Sequence, residues 1–177
     1  MFSMLSLIGY GQLPQKQITY SAEDYGQIKV LDTQSVAFGK TLFTIKNGEE
    51  FMLLDYQHDY YLIDYHNQQG YVYYPYLKKI DDIENYNKIC IQYHLNLDRA
   101  IKLKELEKLY GSDNANKILN NNIWIGMTED MCLRSIGLPT IKNKTTNADG
   151  NSDQWVYENK YLYFDNGVLT TWQEQQK

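Results

Sequence analysis

Short runs of apolar and aromatic residues, each followed by a polar turn, occupy the chain from Ile28 to Ile80. Five runs have this form: Val30–Leu31, Leu42–Ile45, Phe51–Leu54, Tyr60–Ile63 and Tyr71–Tyr73. The segments between them are rich in Asn, Asp, Gly and His, as turns are. Short strands at this close spacing favour a small barrel, because closure removes the exposed edges of a sheet. We therefore predict a small all-β barrel over residues 28–80.

A helical pattern follows the strand-rich region. Residues 81–97 are predicted to be a connector, and within it Ile89–Tyr93 is compatible with one more strand. Asp98 is placed to begin a helix, and Gly111 is placed to end it because glycine readily adopts the left-handed conformation found at helix ends. A second short helix is expected after Gly111. The main domain boundary is predicted between Ile80 and Asp98.

The last third of the chain has the start, stop and turn signals of a short helix followed by antiparallel strands. Thr128 is placed to cap the helix, and Gly137 to stop it. Three strands are predicted, at Trp155–Tyr157, Tyr161–Phe164 and Val168–Trp172. The turn at Asn166-Gly167 accepts positive φ at both positions, as a tight hairpin requires. Residues 98–177 are therefore predicted to form an α+β domain, with helices packed on a three-stranded antiparallel meander.

Composition narrows the function classes. The 177 residues suffice for one ordinary domain or two small ones, and a hydrophobic fraction of 43% argues against global disorder. The net charge of −5 disfavours nucleic acid as a partner, since binding phosphates requires clustered Lys and Arg. Tyrosine dominates the aromatic residues, with 17 copies against 5 Phe and 3 Trp. An apolar ring with a polar tip suits both thin sheets and binding surfaces.

The N-terminus suggests export. The apolar block Phe2–Ile8 is followed by small residues, as at the end of a secretory signal peptide, although the first lysine is Lys16 and a basic start is missing. A truncated signal peptide over residues 1–12 is favoured over an N-terminal strand, and residues 13–27 are expected to be a linker or arm. No apolar run approaches the ~20 residues of a membrane-spanning helix.

The residues best suited to catalysis are poorly arranged for it. All three histidines, His58, His66 and His94, precede Cys132, whereas a papain-like hydrolase needs its histidine after the cysteine. Cys90 and His94 have no apparent orienting third group, so their proximity is interpreted as incidental. Two separate, buried free thiols are favoured over a disulfide. We predict no catalytic residue, no metal site and no cofactor, and a protein that is not an enzyme.

Three segments carry a resemblance to a known family. They are Lys46–Leu54, Tyr60–Ile63 and Gly70–Leu77. Over about residues 28–80 the chain resembles bacterial SH3-like domains, in which an aromatic groove often receives peptides or cell-wall fragments. The resemblance implies Tyr60 and Tyr76 as walls of a ligand-binding groove, with Tyr73 as a third candidate where many members have proline. The alternative is that these tyrosines belong to the barrel core or an ordinary strand surface.

A second resemblance covers about residues 123–173. It is carried by Ile125–Thr128, Gly137, Pro139, Trp155, Tyr157 and Phe164–Gly167, in that order. These motifs are similar to the small outer-membrane-assembly lipoproteins of the BamE/SmpA-like fold, and the same unit occurs in secreted β-lactamase-inhibitor-like proteins. The resemblance implies a non-catalytic protein-binding fold of the cell envelope. An exposed sheet face bearing Trp155, Tyr157, Tyr163 and Trp172 is the predicted protein-interaction surface; the alternative is that these aromatics fill the core.

Together these patterns predict a mixed fold, an all-β SH3-like small barrel plus an α+β domain. The predicted function is non-enzymatic binding of a peptide, a protein or peptidoglycan by an exported, periplasmic or envelope-associated protein. A secreted inhibitor of an envelope or extracellular enzyme is one alternative. An accessory domain of a cell-wall hydrolase complex is the other.

Overall fold

The computed structural model describes residues 13, 15–19, 26–77, 80–148 and 150–174. The chain divides into two compact units, Met1–Asp98 and Arg99–Lys177, called unit 1 and unit 2 below. The predicted signal segment over residues 1–12 lies outside the described residues.

Six strands form one antiparallel sheet in unit 1. They are β1 (Lys16–Thr19), β2 (Gln27–Leu31), β3 (Thr41–Lys46), β4 (Glu50–Gln57), β5 (Tyr60–Tyr65) and β6 (Gln68–Tyr73). Their order across the sheet is β1-β4-β5-β6-β2-β3. The turns after β4 and β5 hold two consecutive residues with positive φ, His58-Asp59 and His66-Asn67. Such turns match the twist of the strands they join, and these polar segments were predicted as turns.

The segment predicted as a linker contains β1. This strand pairs with β4 from Lys16 opposite Leu53 to Thr19 opposite Glu50. Only Ile18 of β1 is buried. This polar stretch is therefore a strand because it pairs with a distant strand. Its own composition does not indicate a strand.

The prediction of an all-β barrel is wrong. The sheet is open, with β1 and β3 at its two edges, and its core includes residues of helix α1 (Ile83–Leu119). Ile83, Tyr86 and Cys90 of α1 are buried in the same cluster as the inner residues of the strands. The apolar face of an open sheet must be covered by another element, and here the start of α1 covers it.

Helix α1 also corrects the predicted connector. It begins at Ile83 and runs through Asp98, where we expected a helix to start. Ile89–Tyr93, the possible extra strand, is helical. Gly111 has φ 77° and ψ 163°, which interrupts the helical backbone where a stop was predicted. The boundary between the two units falls within α1.

Unit 2 contains a short helix and a four-stranded sheet. The elements are α2 (Glu129–Ile136), β7 (Ile141–Asn147), β8 (Gly150–Tyr157), β9 (Lys160–Asp165) and β10 (Val168–Glu174), and the strand order is β10-β9-β8-β7. The predicted ends of α2 are confirmed: Thr128 Oγ1 accepts a hydrogen bond from the Met131 amide, and Gly137 has φ 82°. The meander was predicted with three strands, so β7 is an additional strand, polar and placed at the sheet edge.

One face of this sheet carries the core of unit 2. Trp155 is fully buried and its ring lies 4.5 Å from that of Phe164, centroid to centroid. Cys132 of α2 belongs to the same buried cluster. The chain is thus mostly β, with two open antiparallel sheets, one long helix and one short helix, and the predicted pairing of a barrel with a separate α+β domain is replaced by this arrangement.

Candidate functional site

The loop between β2 and β3 is tied to a tyrosine of β5. The amide of Val36 donates a hydrogen bond to the hydroxyl of Tyr60 at 2.9 Å. Tyr60 itself is only 9% exposed, so its ring is part of the packed structure while its hydroxyl reaches the loop. Tyr60 therefore positions the loop, and its role as a wall of a groove stays a prediction.

The loop, residues 32–40, is also held by its own hydrogen bonds. The Asp32 amide donates to the Lys40 carbonyl at 3.0 Å, and the Lys40 amide donates to Asp32 Oδ1 at 2.8 Å. The Gly39 amide donates to the Ser35 carbonyl at 2.8 Å. A Cβ atom at residue 39 would lie 2.5 Å from that carbonyl oxygen, so only glycine fits there. These hydrogen bonds and the close approach at Gly39 restrict the conformation of the loop.

Two apolar side chains project from this ordered loop. Phe38 is 88% exposed and Val36 is 56% exposed. Large apolar side chains held in water on an ordered loop mark a contact surface, because burial on binding would be favourable. Neither residue was predicted from the sequence to be functional. The signal available was the apolar trio Val36-Ala37-Phe38 inside a polar segment ending in glycine.

The three tyrosines predicted to line a groove are brought together. The rings of Tyr60 and Tyr73 have centroids 5.2 Å apart, and those of Tyr73 and Tyr76 are 6.3 Å apart at an interplanar angle of 79°. Tyr76 ends a short 3₁₀ turn, Tyr74–Tyr76, which follows β6 directly. Tyr73 and Tyr76 are half-buried. We call Tyr60, Tyr73 and Tyr76 the tyrosine surface; their role in binding stays a prediction.

Other tyrosines of unit 1 serve the core. Tyr61 is fully buried, and its ring lies 4.9 Å from that of Tyr56 and 6.4 Å from that of Tyr86. Burial, reinforced by a hydrogen bond to Asp59, raises the pKa of Tyr56 to about 12. Burial likewise raises the pKa values of Tyr61 and Tyr86. This cluster is structural and separate in role from the tyrosine surface.

His94, which is paired with a carboxylate, lines a hollow of unit 1 about 480 Å³ in volume, between the turn after β4 and helix α1. His94 Nε2 is 2.8 Å from Asp55 Oδ1. Asp55 is thus an orienting group for His94 that the sequence analysis did not identify. A general base of this kind needs a nucleophile beside it. Cys90 is fully buried, and burial raises the pKa of its thiol, which disfavours the reactive thiolate.

The four aromatics predicted as a protein-interaction surface in unit 2 do not share one exposed face. Trp155 lies in the core, as the alternative interpretation proposed. Tyr157 packs against that core and its hydroxyl donates to the Gly137 carbonyl at 2.9 Å. Trp172 is paired with Leu162 on the core side and is 37% exposed. Tyr163 alone points to the opposite face, opposite Gln154.

The two cysteines are free and buried, as predicted. Burial raises the pKa of the Cys132 thiol as well. Within the described part of the chain, no group of three or more His, Cys, Asp or Glu residues is arranged to hold a metal ion. In the same residues no helix has the length and apolar character needed to cross a membrane.

Comparisons with known proteins add little to this geometry. No protein-family model matches the chain, and no curated protein matches it. A structural likeness was found to NlpC2 from Trichomonas vaginalis, covering 91% of this chain and 68% of that one, at 12% identity and a TM-score of 0.31. A TM-score of this size does not establish a shared fold, so the likeness assigns no function here. The resemblances to bacterial SH3-like and BamE/SmpA-like proteins stay predictions.

Proposed function

We propose that the protein is a non-enzymatic binding protein that holds an extended peptide segment of a partner on unit 1. The site would comprise the tyrosine surface and the loop of residues 32–40. One observation carries the proposal: the hydrogen bond from the Val36 amide to the Tyr60 hydroxyl ties the loop with its exposed Phe38 to one residue of the tyrosine surface.

The composition of this site suits a peptide. Tyrosine, with its large ring and single hydroxyl, is enriched among the residues that dominate binding energy at protein interfaces. Strand β3 begins at Thr41, directly after the loop, and lies at the edge of the sheet. An extended peptide adds to such an edge through its main chain, while its side chains find neighbouring apolar groups. Leu42 at the start of β3 is a further exposed apolar side chain, at 51%.

The absence of an enzymatic role is part of the proposal. The most reactive side-chain type, the thiol, is represented by two buried cysteines whose pKa values are raised by burial. His94, which contacts Asp55, is on the same helix as Cys90, whose side chain is fully buried. An exported or envelope location is proposed from the sequence alone, and fractionation of native cells with an antiserum against the chain would test it.

The test is selection of linear peptides from a displayed random library with the full chain. The affinity of the selected peptides is then measured by fluorescence anisotropy. Phe38→Ser should weaken binding at least about tenfold, as expected for a residue that dominates an interface. Leu138→Ser is the matched control, because Leu138 is an equally prominent apolar side chain, 81% exposed, in unit 2. This control should leave the affinity unchanged.

Three results would contradict the proposal. The first is that no peptide is selected, and the second is that the selected peptides bind Phe38→Ser as well as the unaltered chain. The third is sedimentation of the chain with insoluble peptidoglycan in a Phe38-dependent manner, without peptide binding. That result would place a wall polymer at the site. Thermal melts of both variants establish that they remain folded.

A further inference from the structure

The second face of the sheet in unit 2, called the outer face, has a distinct chemistry. In antiparallel strands, directly opposed residues share a face. Asn143 is opposite Gln154, and Gln154 is opposite Tyr163. These three residues therefore form a row across β7, β8 and β9 on the face turned away from Trp155. The next row holds Thr145, Ser152 and Asp165.

Hydrogen bonds join the first row into a chain. Asn143 Nδ2 donates to Gln154 Oε1 at 3.0 Å, and Gln154 Nε2 donates to the Tyr163 hydroxyl at 3.3 Å. That hydroxyl donates in turn to Gln173 Oε1 of β10 at 3.4 Å. Each link fixes a side chain that would otherwise rotate freely. A ligand bound here would therefore lose less affinity to the ordering of side chains.

Charged residues of the same strands lie mostly on the other face. The registers place Lys142 opposite Trp155, Lys144 opposite Asp153, and Lys160 opposite Glu174. All of these share the face of the core residues. On the outer face a hollow of about 470 Å³ is lined by hydroxyl and amide side chains together with Asp165. Asp153 and Phe164 also border the hollow, from strand positions whose side chains lie on the core face. Lysine and arginine are not among the described lining residues.

The polar and charged groups that line this hollow indicate which class of ligand it would bind. The carboxylate of Asp165, with no basic side chain in the described lining, disfavours an anion, and the scarcity of aliphatic lining disfavours a lipid. Amides and hydroxyls both donate and accept hydrogen bonds, as the hydroxyl groups of a sugar do. The half-buried ring of Tyr163 offers a flat apolar surface among them. The hydrogen-bonded row crosses four strands, a span of about 14 Å from strand spacing.

We propose that the outer face of unit 2 binds a neutral oligosaccharide. The row of Asn143, Gln154 and Tyr163 supplies the hydrogen bonds, and the ring of Tyr163 supplies the apolar contact. This site is independent of the peptide site proposed for unit 1, since no residue is common to both.

The experiment is calorimetric titration of the full chain with two neutral probes, the β-1,4-linked hexamers of N-acetylglucosamine and of glucose. Polygalacturonate is the anionic probe. One neutral hexamer should bind saturably and more tightly than polygalacturonate. Gln154→Leu removes two links of the chain and should weaken that binding at least about tenfold. Tyr163→Phe keeps the ring and removes the shared hydroxyl, and should weaken it about threefold to fivefold.

Gln68→Leu is the matched control, an exposed amide removed from β6 of unit 1, and should leave saccharide affinity unchanged. The proposal is overturned if neither hexamer binds, if polygalacturonate binds best, or if both unit 2 variants bind like the unaltered chain. Melting curves check that Gln154→Leu is folded. If Gln154→Leu is unfolded, Tyr163→Phe, which is the smaller change, tests the saccharide site in its place. Peptide affinity measured on the same variants keeps a failure here distinct from a failure of the unit 1 proposal.

Discussion

Replacing Tyr60 by phenylalanine removes one hydroxyl group and tests how the loop of residues 32–40 is held. The ring contact with Tyr73 and the packing of the buried ring are retained, so the change is confined to the hydrogen bond from the Val36 amide. An intramolecular hydrogen bond contributes about 1 kcal/mol net to stability. Val36 is 56% exposed, so its freed amide can turn to water and the larger cost of a buried, unpaired donor does not apply.

A loss of about 1 kcal/mol corresponds to a change of about fivefold in the equilibrium between the held and the open amide. Amide hydrogen exchange followed by NMR measures this equilibrium residue by residue. We expect the protection of the Val36 amide to fall about fivefold in Tyr60→Phe. The Gly39 amide should keep its protection, because its acceptor is the Ser35 carbonyl within the loop.

Tyr73→Phe is the matched control, since its ring lies in the same cluster and its hydroxyl is not the acceptor of the Val36 amide. It should leave the exchange of Val36 unchanged. If Val36 were equally protected in Tyr60→Phe and in the unaltered chain, the loop would be held by something other than this hydrogen bond. The observation on which the peptide site rests would then be lost.

Two further predictions concern stability. Burial and the hydrogen bond to Asp59 raise the pKa of Tyr56 to about 12 from an ordinary value of 10.0. Its contribution to stability is therefore complete below pH 10 and is lost as the pH rises through about 12. Because Tyr61 and Tyr86 also have raised pKa values, Tyr56→Phe should reduce the loss of stability over this range by about 3 kcal/mol, measured by chemical denaturation, and not abolish it. Trp155→Ala should lower the free energy of unfolding by about 3–5 kcal/mol, whereas Trp172→Ala should cost less than about 1 kcal/mol. Equal costs would contradict the exposed fractions of the two side chains, 0% for Trp155 and 37% for Trp172.

The features of the fold that were predictable from sequence are those set by a few adjacent residues. Helix α2 lies between its predicted cap, Thr128, and its predicted stop, Gly137. The backbone break at Gly111 and the positive φ values of Asn166 and Gly167 are likewise local choices. In each case the residue type alone restricts φ and ψ, or supplies a hydrogen bond within the same turn.

The features that were missed depend on distant parts of the chain. Strands β1 and β7 are polar and lie at sheet edges, so their sequences show no run of buried residues. Ile89–Tyr93 is rich in residues that favour strands, yet it is helical, and Cys90 in it is buried in the core of unit 1. Tertiary packing outweighs local propensity here. The prediction of a closed barrel failed for the same reason, because closure depends on which strands become edges.

In the candidate site, too, some residues were predicted from the sequence and others were not. The grouping of Tyr60, Tyr73 and Tyr76 was anticipated through a family resemblance, whereas Phe38 was not. A residue that is exposed on an ordered loop leaves no periodic signal, since its position depends on hydrogen bonds made by the residues around it. The partner of Val36 is 24 residues away in the sequence, which no local pattern reveals.

The abundance of tyrosine has a structural explanation that bears on function. Three hydroxyls tie a non-repetitive segment to a packed ring: Tyr56 donates to Asp59 in a turn, Tyr157 donates to the Gly137 carbonyl at the end of α2, and Tyr60 accepts from the loop amide of Val36. Phenylalanine would fill the same space and leave these segments unattached. A tyrosine-rich sheet can therefore hold its loops in fixed positions without disulfides or metal ions. Of the segments held by these three hydroxyls, the loop fixed by Tyr60 presents the large exposed ring of Phe38, and for that reason we place the partner there.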